Sequence, residues 1–337
     1  MEIEEIGEFG LIERLRPGCL RGGGVVRGIG DDAAVLTFTP GALVLATCDM
    51  LVEGRHFHRR YFTPYQLGRK ALAVNLSDIA AMGGRPRHVL VSIGLPADLG
   101  VEYVEEIYRG MKELAAKAAV NVVGGDTVSA PLLILDLFVL GEAYGRYVPR
   151  SGAQPGDLLL VTGELGASAA GLILLLAEKA NAVPPEIARP LFAAHREPQP
   201  RLAEGRLLAG EATAMIDISD GLASEVHHIC GESGVGAVLR AEKIPIGRAT
   251  REAARLLGRA PLDLALYGGE DYELLFSLPP ERAEETASLL RRKTGTAVSI
   301  IGECRPREEC IRLSYPSGES VPLSPGGFDH FRAEEGD

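Results

Sequence analysis

The sequence has no excess of positive charge. Lys and Arg number 35 against 46 Asp and Glu, a formal net charge of −11. This balance argues against a broad basic face of the kind that holds nucleic acid or an anionic membrane, and anionic substrates are repelled unless metal ions intervene. Long hydrophobic runs are also missing. The longest, residues 172–177, is far too short to span a bilayer. The acidic start Met1-Glu2-Ile3-Glu4-Glu5 has neither the basic stretch nor the apolar core of a signal peptide. The expected location is the cytoplasm, with no membrane and no nucleic acid as partner. Cysteine is sparse: Cys19, Cys48, Cys230, Cys304 and Cys310 are odd in number, widely spaced and contain no C-x-x-C pair, which argues for reduced thiols and against a zinc site. Absent, too, are G-x-x-x-x-G-K-[ST], a kinase-type glycine loop, and a G-x-G-x-x-G opening a helix with an acidic residue at the proper distance. No tandem repeat of fixed period is visible.

What is present is enough for two domains. The 337 residues are 46% hydrophobic and include 41 glycines, a length that buries two cores of ordinary size. The turn-rich stretch from Pro149 to Asp157 marks the boundary, so the expected domains are 1–148 and 149–337. Both halves read as mixed α/β. In the first, a helix at 9–15 precedes an irregular Gly/Arg-rich segment at 17–30, then strands at 33–38 and 42–47. Thr63 and Pro64 form a helix start, an N-cap residue followed by proline at the first helical position, and Gly83-Gly84 supplies the stop. A strand at 89–94, a helix at 101–119 and strands at 121–123 and 132–140 follow. In the second half, a strand at 158–162 feeds an apolar helix at 167–180, and a strand at 214–218 is followed by a helix at 222–230.

The carboxylates stand out by position. Asp31-Asp32 follow a Gly-rich segment and precede an apolar run, and Asp49 is expected at the end of the strand at 42–47. Asp78 lies among Leu72, Val74, Leu76, Ile79 and Ala80, where an ionised side chain left unpaired is costly. Gly124-Gly125-Asp126 is expected to end an apolar strand, and Asp217-Ile218-Ser219-Asp220-Gly221 places a second carboxylate pair at a strand end. Two carboxylates about 4 Å apart repel by roughly 4 kcal/mol at an effective dielectric near 20. A cation is the usual remedy, although each segment alone is also compatible with an ordinary capped loop. Hard oxygen ligands without a His/Cys cluster favour magnesium, and a set of this size suggests several ions bridging a polyphosphate.

Taken together, Phe9-Gly10-Leu11-Ile12, Gly30-Asp31-Asp32-Ala33-Ala34-Val35, Asp49-Met50-Leu51-Val52-Glu53-Gly54-Arg55-His56-Phe57, Asn75-Leu76-Ser77-Asp78-Ile79-Ala80-Ala81-Met82-Gly83-Gly84, Gly124-Gly125-Asp126-Thr127, Ile218-Ser219-Asp220-Gly221-Leu222 and Gly268-Gly269-Glu270-Asp271-Tyr272-Glu273-Leu274 resemble the thiamine-monophosphate kinase family, within the wider aminoimidazole ribonucleotide synthetase-like superfamily. The match runs in order from about residue 7 to 330. It implies an α/β fold of the α+β type in two domains, an N-terminal mixed sheet joined into a barrel across a homodimer and a C-terminal α/β domain. The implied activity is transfer of the γ-phosphoryl group of ATP to thiamine monophosphate, the last step of thiamine diphosphate biosynthesis. By the same resemblance Asp31, Thr47, Cys48, Asp49, Asp78, Asp126, Asp217 and Asp220 are assigned to magnesium. Tyr108, Gly125, Asp126, Arg150 and Ser219 are assigned to ATP, and His56, Glu270 and Phe328 to the thiamine substrate.

The chemistry agrees independently. The acceptor is a phosphate oxygen, ionised near neutral pH because the second phosphate pKa is about 6, so no strong general base is required and no catalytic side chain is assigned. The obstacle is repulsion between anionic phosphates, which divalent cations relieve during direct in-line transfer. A thiazolium cation and an aminopyrimidine ring suit Glu270 and an aromatic face such as Phe328. Plainer readings stand beside these: His56 as a surface histidine, Tyr108 as core, Arg150 as a solvated linker residue, Glu270 as a turn carboxylate. Two features depart from the family pattern. Cys48 occupies a position where a hydroxyl residue is common, and a thiol is a poor magnesium ligand, so a contribution there is expected from its backbone carbonyl. The Gly/Arg-rich segment at 16–27 is the other. Competing readings are a superfamily relative that activates an amide or carboxyl-type oxygen and a non-catalytic nucleotide or metal sensor. The carbamoyl-dehydratase version of the first is expected to end in a reactive cysteine, whereas this sequence ends Glu334-Glu335-Gly336-Asp337.

Overall fold

The chain begins with α1 (Ile3–Leu15), which is broken at Gly7, where φ of 64° and ψ of 178° leave the helical region. A computed structural model describes residues 3–20, 22–30, 32–177 and 183–327. Asp31 and Phe328 therefore lie outside the described residues, as does the end of the helix expected over 167–180. Two short antiparallel strands, β1 (Val25–Arg27) and β2 (Val35–Leu36), flank the Gly-Asp-Asp segment. The strand expected over 33–38 is only those two residues long.

A four-stranded mixed sheet with helices against one face forms the rest of the first unit. Its elements are β3 (Leu43–Val52), α2 (Pro64–Ala81), β4 (Arg85–Leu95), α3 (Val101–Ala118), β5 (Asn121–Ser129) and β6 (Ile134–Ala143). The strand order is β3-β6-β4-β5, with β4 and β5 parallel and the other pairs antiparallel. Two expectations need correction. β3 does not stop at 47; it continues to Val52, so Asp49 lies inside the strand, because Met50, Leu51 and Val52 keep alternating and pair with Asp136, Leu135 and Ile134. Likewise β5 runs through Gly124-Gly125-Asp126, held by parallel pairing with β4.

The capping box at the start of α2 is complete: the Thr63 hydroxyl accepts from the Gln66 N–H and the Gln66 side chain accepts from the Thr63 N–H. α2 is buried along most of its length and packs tightly against α3. The approach is set by two glycines. A Cβ on Gly68 would sit 1.8 Å from the Ile107 carbonyl oxygen, and one on Gly110 would sit 1.9 Å from that of Tyr65. Each helix thus presents bare backbone to the other, which brings α2 down onto the sheet.

The second unit contains β7 (Leu158–Thr162), α4 (Ala167–Leu176), α5 (Pro185–Arg196), α6 (Leu202–Leu208), β8 (Ala214–Asp217), α7 (Leu222–Ser233) and β9 (Gly236–Arg240). It continues with α8 (Arg248–Leu257), α9 (Pro261–Tyr267), β10 (Leu274–Leu278), α10 (Pro280–Thr294), β11 (Val298–Arg305), β12 (Ile311–Ser314) and β13 (Ser320–Pro322). Seven strands form one sheet in the order β13-β12-β9-β11-β7-β10-β8, in which β9 and β12 are the parallel pair. One apolar core joins the sheet to α7 and a second joins α4, α5 and α8. Helix α9 was not anticipated; its signal is Pro261 at the first helical position. The chain divides into two compact units, Met1–Tyr147 and Val148–Asp337. No helix among the described residues is long and apolar enough to cross a membrane.

Replacing Gly110 with alanine forces a methyl group into the Tyr65 backbone. Denaturant unfolding of Gly110→Ala is expected to show a loss of about 1–3 kcal/mol, the usual cost of overpacking, or more.

Candidate functional site

In the first unit the sheet register sorts the candidate residues by face. Thr47 and Asp49 alternate with buried Leu51 and pair with buried Val139 and Leu137, so they point toward the helices. There the Thr47 hydroxyl donates to Asp78 Oδ2 on α2. Asn75, one turn earlier on the same helix and fully buried, accepts the Asp49 N–H through Oδ1 at 3.0 Å and donates to the Ala71 carbonyl at 3.1 Å. β3 and α2 are thereby tied together at an oxygen-rich corner made of Thr47, Asp49 and Asp78. Cys48 points the other way. Its Sγ lies 3.0 Å from Asp136 Oδ1, and burial, with the nearby Asp136, pushes the thiol up to about 11. It stays a neutral thiol, and only its backbone belongs to the strand segment between Thr47 and Asp49.

Asp126 pairs with Ser92, and Ser92 with Asp136, so the register sets it on the face that carries Cys48 and not on the face of the Thr47–Asp78 corner. It is exposed, and Oδ1 accepts the Thr127 N–H at 2.9 Å. Gly125, at φ 150°, has a reason of its own to be glycine: a Cβ would stand 1.8 Å from the Val91 carbonyl oxygen. Tyr108 is 7% exposed within α3, and burial pushes its phenol up. His56 accepts the Val52 N–H on Nδ1 at 3.0 Å, which leaves the ring proton of the neutral tautomer on Nε2.

In the second unit two segments cross. Residues 217–221 leave the end of β8 and residues 268–273 lead into β10. Three backbone hydrogen bonds lock them: Glu270 N–H to the Ser219 carbonyl at 2.6 Å, Tyr272 N–H to that of Ile218 at 2.8 Å, and Ile218 N–H to that of Glu273 at 2.7 Å. Glu270 and Tyr272 both hold left-handed backbones, φ 65° and 50°. Such conformations cost on the order of 1–3 kcal/mol each and persist where surroundings over-determine them. Asp217 is 4% exposed. Glu225, buried on α7, accepts the Asp220 N–H at 3.1 Å. Burial, reinforced by Asp217 and Asp220 and opposed by Arg150, pushes its carboxyl up to about 8. Arg150 is thus placed beside this acidic group. Gly327 lies against the Asp220 carbonyl oxygen, 2.6 Å from where a Cβ would stand.

Among the described residues no three His, Cys, Asp or Glu side chains converge into a ready-made metal cage. The donor set is of the kind that suits a hard cation supplied with phosphate oxygens: carboxylates and a hydroxyl at the Thr47–Asp78 corner, and Asp217 and Asp220 beside Glu225, whose own carboxyl is raised chiefly by burial. Sequence reasoning placed Asn75 on its helix without a role, and missed His195 and Glu225. His195 is fully enclosed on α5, with Nδ1 3.0 Å from Glu270 Oε2. A histidine in a proline-laced connection gave no periodic signal, and Glu225 sits at an unremarkable helical position.

Over residues 30–143 the chain matches the family AIR synthase related protein, N-terminal domain, and over residues 154–312 AIR synthase related protein, C-terminal domain. It is 40% identical over 282 residues to thiamine-monophosphate kinase of Aquifex aeolicus (strain VF5), covering 84% of this chain and 89% of that one. To thiamine-monophosphate kinase of Bacillus subtilis (strain 168) it is 37% identical over 332 residues, covering 96% and 99%. Among solved structures, AaThiL complexed with AMPPCP and TMP is 35% identical with a TM-score of 0.77, covering 98% of this chain and 99% of that one.

Removing the Asn75 side chain leaves the Asp49 N–H without its buried acceptor. Asn75→Ala is expected to lower unfolding free energy by about 1–3 kcal/mol in denaturant titration, with amide exchange at Asp49 accelerated.

Proposed function

We infer the activity from one premise: the chain belongs to the thiamine-monophosphate kinase family of AIR synthase related proteins. It transfers the γ-phosphoryl group of ATP to thiamine monophosphate, yielding thiamine diphosphate and ADP. The observation in the fold that best supports this reading is the Thr47–Asp78 corner, an array of hard oxygen donors on one face of β3 and α2. That is what direct transfer to a phosphate acceptor needs. The acceptor oxygen is already ionised, so the burden falls on charge and alignment.

We assign magnesium to Asp31, Asp49, Asp78, Asp126, Asp217 and Asp220, with Thr47 and the backbone carbonyl of Cys48 as neutral donors. When bound, magnesium neutralises the polyphosphate and the acceptor phosphate and holds them in line. Each protein group does something definite in advance of that. The Thr47 hydroxyl orients Asp78, Asn75 holds the strand that carries Asp49, and Arg150 offsets part of the negative charge around Asp217 and Glu225. Gly125, Asp126, Arg150 and Ser219 are assigned to ATP. Tyr108, nearly enclosed within α3, is assigned to ATP as well. His56, Glu270 and Phe328 are assigned to the thiamine moiety, with the His56 Nε2–H as donor.

The homodimer reading is supported by the other face of the four-stranded sheet. Met50 is 50% and Phe138 38% exposed, and Val44 and Val128 are exposed as well. Exposed apolar side chains on a sheet face, here interspersed with Asp126 and Asp136, are a liability in an isolated chain and suit burial against a second copy. The protein is read as cytoplasmic.

Purified protein with magnesium and ATP is expected to convert thiamine monophosphate, and not thiamine, to thiamine diphosphate. Chelation with EDTA should abolish turnover, and Asp78→Asn should lower kcat by about a hundredfold or more, roughly 2.7 kcal/mol of transition-state stabilisation. Near-normal turnover by that variant would remove Asp78 from the site. A separate measurement addresses assembly: Phe138→Asp is expected to shift the light-scattering mass from dimer to monomer, since an unpaired charge cannot be buried at the sheet face.

A further inference from the structure

The segment 268–273 alternates between anchoring and presenting. Asp271 turns inward and accepts the amides that begin α4, from Gly166 at 2.7 Å and Ser168 at 3.4 Å. Glu273 turns inward as well, taking Arg201 in a two-point contact, with Nε to Oε2 at 2.6 Å, and the Thr162 hydroxyl at 2.6 Å. Glu270 keeps 24% of its side chain in reach of solvent. Its carboxylate is nevertheless gripped from inside the fold. His195 on α5, 2% exposed, stands with Nδ1 3.0 Å from Glu270 Oε2 and 3.2 Å from the Ser168 hydroxyl on α4.

Carboxylate oxygens accept and do not donate, so the Nδ1 atom of His195 carries a proton and gives it to Glu270 Oε2, with Ser168 Oγ beside the same N–H. The imidazole is held between two helices that share one apolar core, so it has little freedom of its own. The carboxylate it holds is attached to a backbone already fixed in a left-handed conformation. Backbone and hydrogen-bond donor therefore agree on one direction for Glu270.

We propose that His195 is a positioning residue for the acceptor substrate: its Nδ1–H holds the Glu270 carboxylate in the orientation that receives the cationic, nitrogen-rich part of thiamine monophosphate. This role rests on the reading of Glu270 as a contact to that substrate. It concerns the part of the acceptor remote from the phosphates, so it bears on binding in ground and transition states alike and appears in KM for thiamine monophosphate. A carboxylate free to swing gives up part of that binding to the entropy of ordering it.

The test compares two amides. In His195→Asn the side-chain nitrogen falls near the place of Nδ1; in His195→Gln it falls near that of Nε2. His195→Gln is expected to raise KM for thiamine monophosphate about tenfold, with KM for ATP unchanged within about twofold and kcat within about threefold, while His195→Asn stays close to wild type. In a Glu270→Gln background neither change should add anything. Melting temperatures of all variants give the folding control. If Glu270→Gln raises KM for thiamine monophosphate but both histidine variants behave as wild type, or both raise all parameters together, the positioning role is wrong and the Glu270 assignment survives. If Glu270→Gln itself leaves that KM unchanged, the assignment fails and the role of His195 falls with it.

Discussion

Acidic side chains crowded into a fold must each be answered by a donor, a cation or a proton, and that requirement organises both units. Repulsion between neighbouring carboxylates of several kcal/mol is comparable to a large share of a domain's net stability. Asp271 is answered by amides at the start of α4, Glu273 by Arg201 and Thr162, and Glu270 by His195. These are structural settlements inside the protein. Around Asp217 and Asp220 the balance is met partly by a proton, since Glu225 is pushed up to about 8 and enters neutral pH uncharged. The Thr47 hydroxyl and the Asn75 amide orient a further carboxylate corner without neutralising it. Under the proposed reading, charge left over in such places is what a phosphate-bearing substrate and divalent cations would bring into balance.

The four-stranded sheet separates two tasks by parity. Thr47, Asp49 and Leu51 face the helices, where Asn75 and Asp78 of α2 reach the strand. Cys48 and Met50, together with Asp136 and Phe138 of the paired strand, face the other way. A one-residue slip of β3 would exchange the residues of the polar corner for those of the opposite face. Cys48 illustrates the consequence: it stands next to Asp49 in sequence, yet its thiol belongs to the opposite side.

Much of the fold was legible from local chemistry. The start of α2 followed from Thr63 and Pro64, and the strand at 158–162 and the acidic end of β8 followed from apolar runs meeting turn residues. Local reading failed where a partner strand overrides local preference. Asp49 and the Gly124-Gly125-Asp126 segment look like breaks, but pairing with β6 and β4 carries the strands through them. Gly125 was assigned to ATP by resemblance, and its tight contact with the Val91 carbonyl gives it a packing reason as well. His195 was invisible because its partner is 75 positions away in sequence, on a loop with no periodicity.

From the amino-acid order alone came the family, the two-part α/β organisation, the carboxylate-bearing motifs and the acidic net charge, since these depend on residue types, spacing and ordered motifs. Only the tertiary structure decided which face each strand residue serves, which carboxylates are already satisfied within the fold, and that an enclosed histidine grips Glu270. Those depend on strand register and on contacts between distant segments, and neither is written in any local stretch of the chain.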